Sequence, residues 1–471
     1  LKTMQKEEKE GKAEKGSSLP FDAETCKKLI KKLCALQNSD GGISWFDWQN
    51  RESSEYVTYQ VLELLGEIRQ LGFEIVDEDL MNLQKQALAY IEKEELKELK
   101  EMKEDSKSWF KSDIDYSQFS SYLYLRTLYP SSTFKMDKDC DKLLQKTLNA
   151  VEKNWQDFSM PTRVYVALSL FRNNRTKTAK LIMESMRQFA VKDSRRGMFW
   201  DNLQTFGYRW YSRTALTAAM LEAFNEIDPR EEEINQIRKW ILLQKQTTDW
   251  GNSSMASEAT FSLLSTGKQW LNSSEKEYFK REINRTEDAQ KNIFSVKGNA
   301  LNVLHKPGSP AWGAIYAKFP TEITQTKAFA LEEIKLEKNL LQHDGEKISA
   351  TDSIKVGDKI QVQLTITTDR DMSYVTIKDH RAACFEPVDK LSGYRFSDSN
   401  VKYRQSIGYY NDTKDTETRI LVNFLPKGSH IITYDVFVTN TGTFCTGLAE
   451  VECELAPQFT AHTEGNVIII K

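Results

Sequence analysis

The sequence predicts a multidomain α plus β protein: an α/α toroid of helical hairpins followed by an antiparallel β-sandwich. Three observations predict it. From Phe21 to about residue 284, apolar residues recur at three- and four-residue steps, the period of amphipathic helices. Tryptophan-bearing polar loops at Trp45, Trp109, Trp155, Trp200 and Trp250 interrupt that pattern at spacings of 64, 46, 45 and 50 residues, which suits a repeat of two helices and two loops. After about residue 288, glycine and proline punctuate short runs of strand composition instead.

In chain order, residues 1–18 (LKTMQKEEKEGKAEKGSS) carry almost no large apolar groups and read as a disordered leader or linker. Cys26, Leu29, Ile30, Leu33 and Leu36 form the apolar face of the first helix, which the Asp40-Gly41-Gly42 turn stops. The next helix opens at Ser53-Ser54-Glu55 and carries Tyr56, Tyr59, Val61, Leu62, Leu65 and Ile68. Further helices are expected near 78–97, 116–129, 137–153, 161–173, 176–191, 210–227, 231–246 and 254–267, with a shorter one at 275–284. The charge run from Glu92 to Glu104 reads as a solvated helical extension. Hairpins of this kind can stack in a line or close into a ring. A ring of inner and outer helices has no exposed ends to cap and is the expected form, over residues 19–287.

Residues 288–334 are strand-like but too few for a core of their own, so this β segment should pack on a neighbour. Ile360–Ile366 and Ile431–Val438 alternate apolar and polar residues, and Thr418–Phe424 and Leu448–Leu455 continue the pattern. Turn signals at this spacing place the sandwich at 335–471.

Composition narrows the function. Of 471 residues, 39% are hydrophobic and 28% charged, and the net charge of -3 gives no bulk attraction to nucleic acid or membrane. No apolar run approaches the roughly 20 residues that span a bilayer. The chain starts at Leu1 without a signal-type segment and reads as a fragment, so its compartment is open. The six cysteines (Cys26, Cys34, Cys140, Cys384, Cys445 and Cys453) form no CxxC and no zinc spacing, and free buried thiols are expected. On one continuous strand, Cys445 and Cys453 would stand about 26 Å apart, beyond disulfide reach. No metal and no cofactor are implied.

A toroid followed by β-structure also suits a polysaccharide lyase or glycan-binding protein. Tyr56, Tyr59, Arg209, Tyr211 and Arg213 sit at loop–helix junctions where such chemistry would fall. A lyase needs a base, commonly His or Tyr, to take the proton α to a carboxylate. The histidines are His305, His343, His380, His430 and His462, so a His base or zinc ligand within the ring is excluded. Trp45, Trp48, Trp109, Trp155, Trp200, Trp210 and Trp250 have two readings. They form a contact rim that stacks a sugar or grips a protein, or each ring plugs a gap with its indole N–H on a loop carbonyl. The second is the commoner use of a large aromatic group. Cys34-Ala35-Leu36-Gln37 has the spacing for an internal thioester between thiol and side-chain amide. Cys34 lies on an apolar helical face, however, and a core cysteine is the preferred reading.

These residues resemble the bacterial, Bacteroides-type, alpha-2-macroglobulin family. Ala35-Leu-Gln-Asn-Ser-Asp-Gly-Gly-Ile-Ser-Trp45 is similar to the first Gly-Gly loop of that family's thioester-type toroid. Thr214-Ala-Leu-Thr-Ala-Ala-Met220 and Trp250-Gly-Asn-Ser-Ser254 are similar to later repeats. Ala311-Trp-Gly-Ala-Ile-Tyr316, Asp369-Arg-Asp-Met-Ser-Tyr374, Phe385-Glu-Pro-Val388 with Ser392-Gly-Tyr394, Leu425-Pro-Lys-Gly428 and Ala456-Pro-Gln-Phe-Thr-Ala-His-Thr-Glu-Gly465 resemble its last macroglobulin-like domain. The resemblance runs over about 20–471. It implies the C-terminal part of a large periplasmic or cell-surface protein that entraps proteases, with proteases and the other domains of the same protein as partners. The family's Cys-x-Glu-Gln motif lies well upstream of the Gly-Gly loop. It does not occur here, and Leu36 stands where Cys34–Gln37 would need the glutamate. The resemblance therefore implies a non-enzymatic inhibitor without a thioester in this chain.

Overall fold

In the computed structural model the described residues are 23–48, 50–73, 77–105, 119–201, 213–267, 287–288, 293–294, 320–342, 345–348, 353–397 and 406–471. Two compact units divide the chain, Leu1–Arg238 with Gly251–Asn302, and Lys239–Trp250 with Val303–Lys471.

Ten helices are found among the described residues: α1 (Ala23–Ala35), α2 (Glu55–Gln70), α3 (Glu78–Asp105), α4 (Ser120–Thr127), α5 (Lys138–Asn154), α6 (Met160–Arg172), α7 (Thr176–Gln188), α8 (Arg213–Ile227), α9 (Glu231–Thr247) and α10 (Ser253–Thr266). Several starts are fixed by side chains. Ser54, Asp137, Ser159 and Asn252 accept the backbone N–H of Val57, Asp139, Thr162 and Met255. Each satisfies a donor that the first helical turn leaves free.

The even-numbered helices close a ring. α2 packs on α4, α4 on α6, α6 on α8, α8 on α10, and α10 returns to α2. Ser254 of α10 donates to Gln60 of α2 across the closure. The outer helices cover this ring: α3 packs on α2, α5 on α4 and α6, and α7 on α6 and α8. Burial follows position. Inner α8 is buried on nearly every side from Thr214 to Phe224, whereas outer α5 buries one face through Cys140, Leu143, Leu144, Leu148 and Val151. A helix that is apolar all round belongs inside, and a one-sided helix belongs at a surface.

Strand β1 (Val191–Asp193) and β2 (Gly197–Phe199) form a hairpin between α7 and α8. Asp193 closes its turn by accepting the N–H groups of Arg195 and Arg196, each at 2.9 Å. β3 (Glu287–Asp288) and β4 (Ile293–Phe294) pair antiparallel.

The second unit holds β5 (Ile334–Leu341), β6 (Lys359–Thr368), β7 (Met372–His380), β8 (Phe385–Pro387), β9 (Gly393–Phe396), β10 (Gly408–Thr413), β11 (Glu417–Leu425), β12 (Gly428–Val438), β13 (Gly442–Cys445), β14 (Ala449–Cys453), β15 (Thr460–His462) and β16 (Val467–Ile470). A six-stranded sheet in the order β15-β14-β7-β11-β10-β9 and a four-stranded sheet in the order β5-β6-β12-β8 are both antiparallel, with β13-β16 as a separate pair. Alternation aims Ile360, Val362, Leu364 and Ile366 of β6 inward, and Val375, Ile377, Ile420 and Val422 of the larger sheet belong to the same core. Each such side chain contributes roughly 1.5–3 kcal/mol by leaving water.

Three expectations need correction. Cys445 and Cys453 do not share a strand: β13 ends at Cys445, and the chain turns at Gly447 (φ +75) into β14 of another sheet. A Cβ at Gly447 would stand 2.0 Å from the carbonyl oxygen of His380, so only glycine fits that turn. All six cysteines are free, but Cys26 is exposed and Cys34 and Cys445 are only half-buried. The charge run on α3 is not wholly solvated either. Glu92 and Glu95 are buried, Glu92 against Arg126 at 3.4 Å and Glu95 accepting from Tyr59. The leader at 1–18, the helix expected at 275–284 and most of the 288–334 segment lie outside the described residues. No described helix is long and apolar enough to cross a membrane.

Candidate functional site

The Gly-Gly loop connects α1 to α2 and shapes one end of the helical ring. Asp40 turns the chain by accepting from Gly42 N (3.0 Å) and from the Ser53 hydroxyl (2.7 Å). Gly41 has φ +92, and a Cβ there would stand 2.4 Å from Gln86 O. A Cβ on Gly42 would meet Ser53 Cβ at 2.5 Å. Both glycines are thus required by close approach. Ile43 is buried, its N–H on Thr58 Oγ1 at 2.9 Å, and Arg51 ties the two sides of the loop through Asn38 (2.9 Å) and the Ala35 carbonyl (2.5 Å).

Gln37 and Cys34 serve this loop separately. The Gln37 side-chain amide donates to Gly41 O at 2.9 Å and to Leu83 O at 3.0 Å. Cys34, like Ile30, Leu33 and Leu36, packs against the core of Ile43, Leu65, Leu80 and Leu83, and burial, with Asp79 and Asp77 adding to it, pushes the thiol pKa up. A thiol that resists ionisation beside an amide held by two carbonyls is poorly set for acyl exchange.

The loop and the first turn of α2 present four exposed aromatic rings. Trp45 stacks on Tyr56 at 5.7 Å and 13°, Phe46 lies 6.4 Å from Trp45, and Trp48 lies 5.1 Å from Phe46. The other tryptophans of the expected rim do not join them. Trp200 is fully buried, stacked on Phe224 at 5.6 Å with its indole N–H on Met186 O at 2.8 Å. It is a core plug and leaves the contact rim, because β2 carries it inward. Trp250 is half-buried with its N–H on Ile241 O at 2.9 Å, and Trp155 is half-buried beside Arg163. Trp109 and Trp210 lie outside the described residues, as do Arg209 and Tyr211. Of the lyase candidates, Tyr56 stands at the mouth of the cleft described next, Tyr59 is buried on Glu95, and Arg213 pairs with Asp201 at 2.5 Å.

Beneath Trp45 and Tyr56 a cleft of about 540 Å³ runs into the ring between α2 and α10. Val57, Val61, Met255, Glu63, Glu67, Glu258 and Tyr165 are among the residues that line it. Tyr165 donates to Glu258 at 2.6 Å. Below them Arg172 bridges Glu222 and Glu226, each at 2.6 Å, and Tyr124 donates to Glu222 at 3.0 Å. Glu67 is 5% exposed, and its carboxyl has no hydrogen bond or ion pair among the described residues. Burial, reinforced by Glu63, Glu258 and Glu222, pushes its pKa up to about 10. Glu67 is therefore a neutral acid near pH 7. Among the described residues no group of three or more His, Cys, Asp or Glu side chains is placed to hold a metal ion.

The sequence reading passed over Glu63, Glu67 and Glu258, since glutamate on a helix ordinarily faces water. One signal was available. Glu63 and Glu67 are like charges four residues apart, an arrangement that weakens a helix unless something else requires it.

A closed ring of helical hairpins and an antiparallel sandwich define a two-unit class of architecture that several unrelated functions use. Comparison with known proteins narrows it. Residues 334–458 match the family model of the bacterial alpha-2-macroglobulin MG10 domain. Among solved structures the chain is similar to trypsin-activated alpha-2-macroglobulin from Escherichia coli, at 12% identity and a TM-score of 0.37, over 94% of this chain and 29% of that one. It is similar to native Escherichia coli alpha-2-macroglobulin spanning MG7 to the C-terminus, at 14% identity and a TM-score of 0.33, over 96% of this chain and 71% of that one. The Salmonella protein reacted with methylamine aligns at 14% identity and a TM-score of 0.32, over 96% of this chain and 28% of its own. The chain thus spans under a third of the longer structures. No curated protein matches. Residues 334–458 are thus similar to one domain of bacterial alpha-2-macroglobulin.

Proposed function

We propose that this chain is the C-terminal part of a bacterial alpha-2-macroglobulin-like protein that entraps proteases, and that its own contribution is non-covalent. The match of residues 334–458 to the MG10 domain carries this reading. In it, a protease cuts a bait segment elsewhere in the protein, the molecule rearranges, and the helical ring serves as a rigid body with an aromatic end. The engagement of Gln37 by Gly41 O and Leu83 O supports a chain without a thioester at Cys34. A periplasmic or cell-surface location goes with the same reading. A lyase reading finds little support in the tyrosines. Tyr59 donates to Glu95, and burial with Glu222 raises the pKa of Tyr124, so neither supplies a phenolate base near neutrality.

The test is trypsin mixed with the full-length protein. Retained cleavage of a small chromogenic peptide with lost cleavage of casein is expected. Equal cleavage of both substrates would defeat the proposal. Methylamine treatment of this chain should leave its mass and thiol count unchanged, and an adduct at Gln37 would overturn the non-covalent part.

A further inference from the structure

Strand β9 stands at the edge of the six-stranded sheet, with β10 as its strand neighbour among the described residues. The Ser397 N–H donates to Ile407 O at 2.9 Å, and the Ile407 N–H donates to the Ser397 hydroxyl at 2.9 Å. Hydrogen-bonded pairs alternate along an antiparallel ladder, so Arg395 and Gly393 also turn their backbone groups to β10. Tyr394 and Phe396 turn theirs the other way, to the open edge, where nothing among the described residues pairs with them. Their side chains are bare as well: Tyr394 is 80% exposed and Phe396 76%, and Leu391 just before the strand is 78% exposed. A sheet edge ordinarily carries charge, proline or a covering loop at such positions, because its free N–H and C=O groups invite another strand. Here both outward positions are aromatic.

The free backbone groups call for an extended strand, and their symmetry says which. Donors and acceptors at alternate residues are self-complementary about a two-fold axis through Arg395. Turned about that axis, Tyr394 of one copy faces Phe396 of the other, and each such pair exchanges both its hydrogen bonds. On the outer face the Tyr394 and Phe396 rings then meet as aromatic cross-strand pairs, which stabilise a sheet. Arg395 meets its own symmetry copy on the opposite face, where bare like charges would repel. Each is already neutralised within its chain, since Arg395 reaches Asp389 at 2.6 Å and donates to Leu391 O at 3.0 Å. The area also suffices. An aromatic side chain buries about 150–250 Å², so the two rings of each copy supply roughly 600–1,000 Å² in all. Leu391 adds to that, which reaches the ~1,000 Å² a specific interface needs.

We propose that two copies of this chain associate through β9, edge to edge and antiparallel, so that the six-stranded sheet of one copy continues into that of the other. The contact lies at the small end for a specific interface, so the association is reversible and depends on concentration. A two-fold pairing uses the β9 edge of both copies and closes on itself, so assembly stops at the dimer.

The experiment is sedimentation velocity of the chain over about two decades of concentration. The average mass should climb from that of the monomer towards twice it. Phe396→Lys puts a charge on the edge, and Tyr394→Pro removes an N–H that bonds nothing within its own sheet. Either variant should stay at the monomer mass throughout. Phe424→Lys, at an exposed position on β11 two strands in from the edge, should dimerise like wild type. Hydrogen exchange of wild type, read by mass spectrometry on a peptide spanning 388–397, needs no substitution. The Tyr394 and Phe396 amides should exchange several-fold more slowly at high concentration than at low. Monomer mass for wild type at every concentration, dimers of both edge variants, or exchange independent of concentration would overturn the proposal. Dissociation by Phe424→Lys as complete as by Phe396→Lys would overturn β9 as the contact, and growth beyond the dimer would overturn the closed two-fold pairing.

Discussion

Asp379 in the sandwich and Glu67 in the ring are both buried carboxyls, and they are treated in opposite ways. Asp379 is fully buried and accepts from Lys338 Nζ at 2.6 Å and from the Tyr434 hydroxyl. Lys338 is satisfied in turn, since its ammonium also donates to His380 O at 3.0 Å and Thr446 O at 2.9 Å. The pair ties β5 of one sheet to β7 of the other, and every proton of the ammonium has an acceptor. Glu67 has no such company among the described residues. A buried charge whose partners all belong to the chain fixes a structure, whereas burial without a donor holds an acid neutral.

Removing one side of the sandwich tie should have the largest effect. Lys338→Met strands Asp379 in the core and should lower the stability of the sandwich by about 3–5 kcal/mol, read as its denaturant midpoint. Replacing both members with apolar residues should recover most of that loss. The two classes of tryptophan in the ring sharpen the contrast. Trp200→Ala empties a buried site against Phe224 and should cost about 3–5 kcal/mol, followed by helical circular dichroism. Gly41→Ala forces a side chain onto Gln86 O at positive φ and should cost about 1–3 kcal/mol. Trp45→Ala should change stability by less than about 0.5 kcal/mol, because its ring stands on the surface; a larger loss would make Trp45 a structural group like Trp200.

What could be read in advance depended on how local its cause is. The apolar period of α1 and α2, the Gly41-Gly42 stop and the alternation of β6 and β12 arise within a few residues, and the structure has them. The burial of Trp200 and the exposure of Trp45 have no such local cause, since both follow tryptophan loops of similar composition. Only the β1–β2 hairpin, which carries Trp200 under α7, separates them. Glu92 and Glu95 look like the rest of their charge run and are buried because Arg126 and Tyr59 come to them from other helices. The break between Cys445 and Cys453 turns on Gly447 meeting His380 O, a contact between residues far apart in the chain. Glu67 was hidden for the same reason, because its isolation is a property of five helices closing around it.

That isolation can be measured directly. Below the ordinary glutamate range both folded and unfolded chains hold the Glu67 proton, but above it only the folded ring retains it, up to about pH 10. Wild-type ring stability should therefore fall relative to Glu67→Gln by about 1.4 kcal/mol for each unit from pH 5 to 8. Following the denaturant unfolding of both proteins by helical circular dichroism across that range tests the account. Diverging curves, with the variant the more stable at pH 8, are the predicted result, and parallel curves would show that Glu67 is an ordinary carboxylate and contradict it.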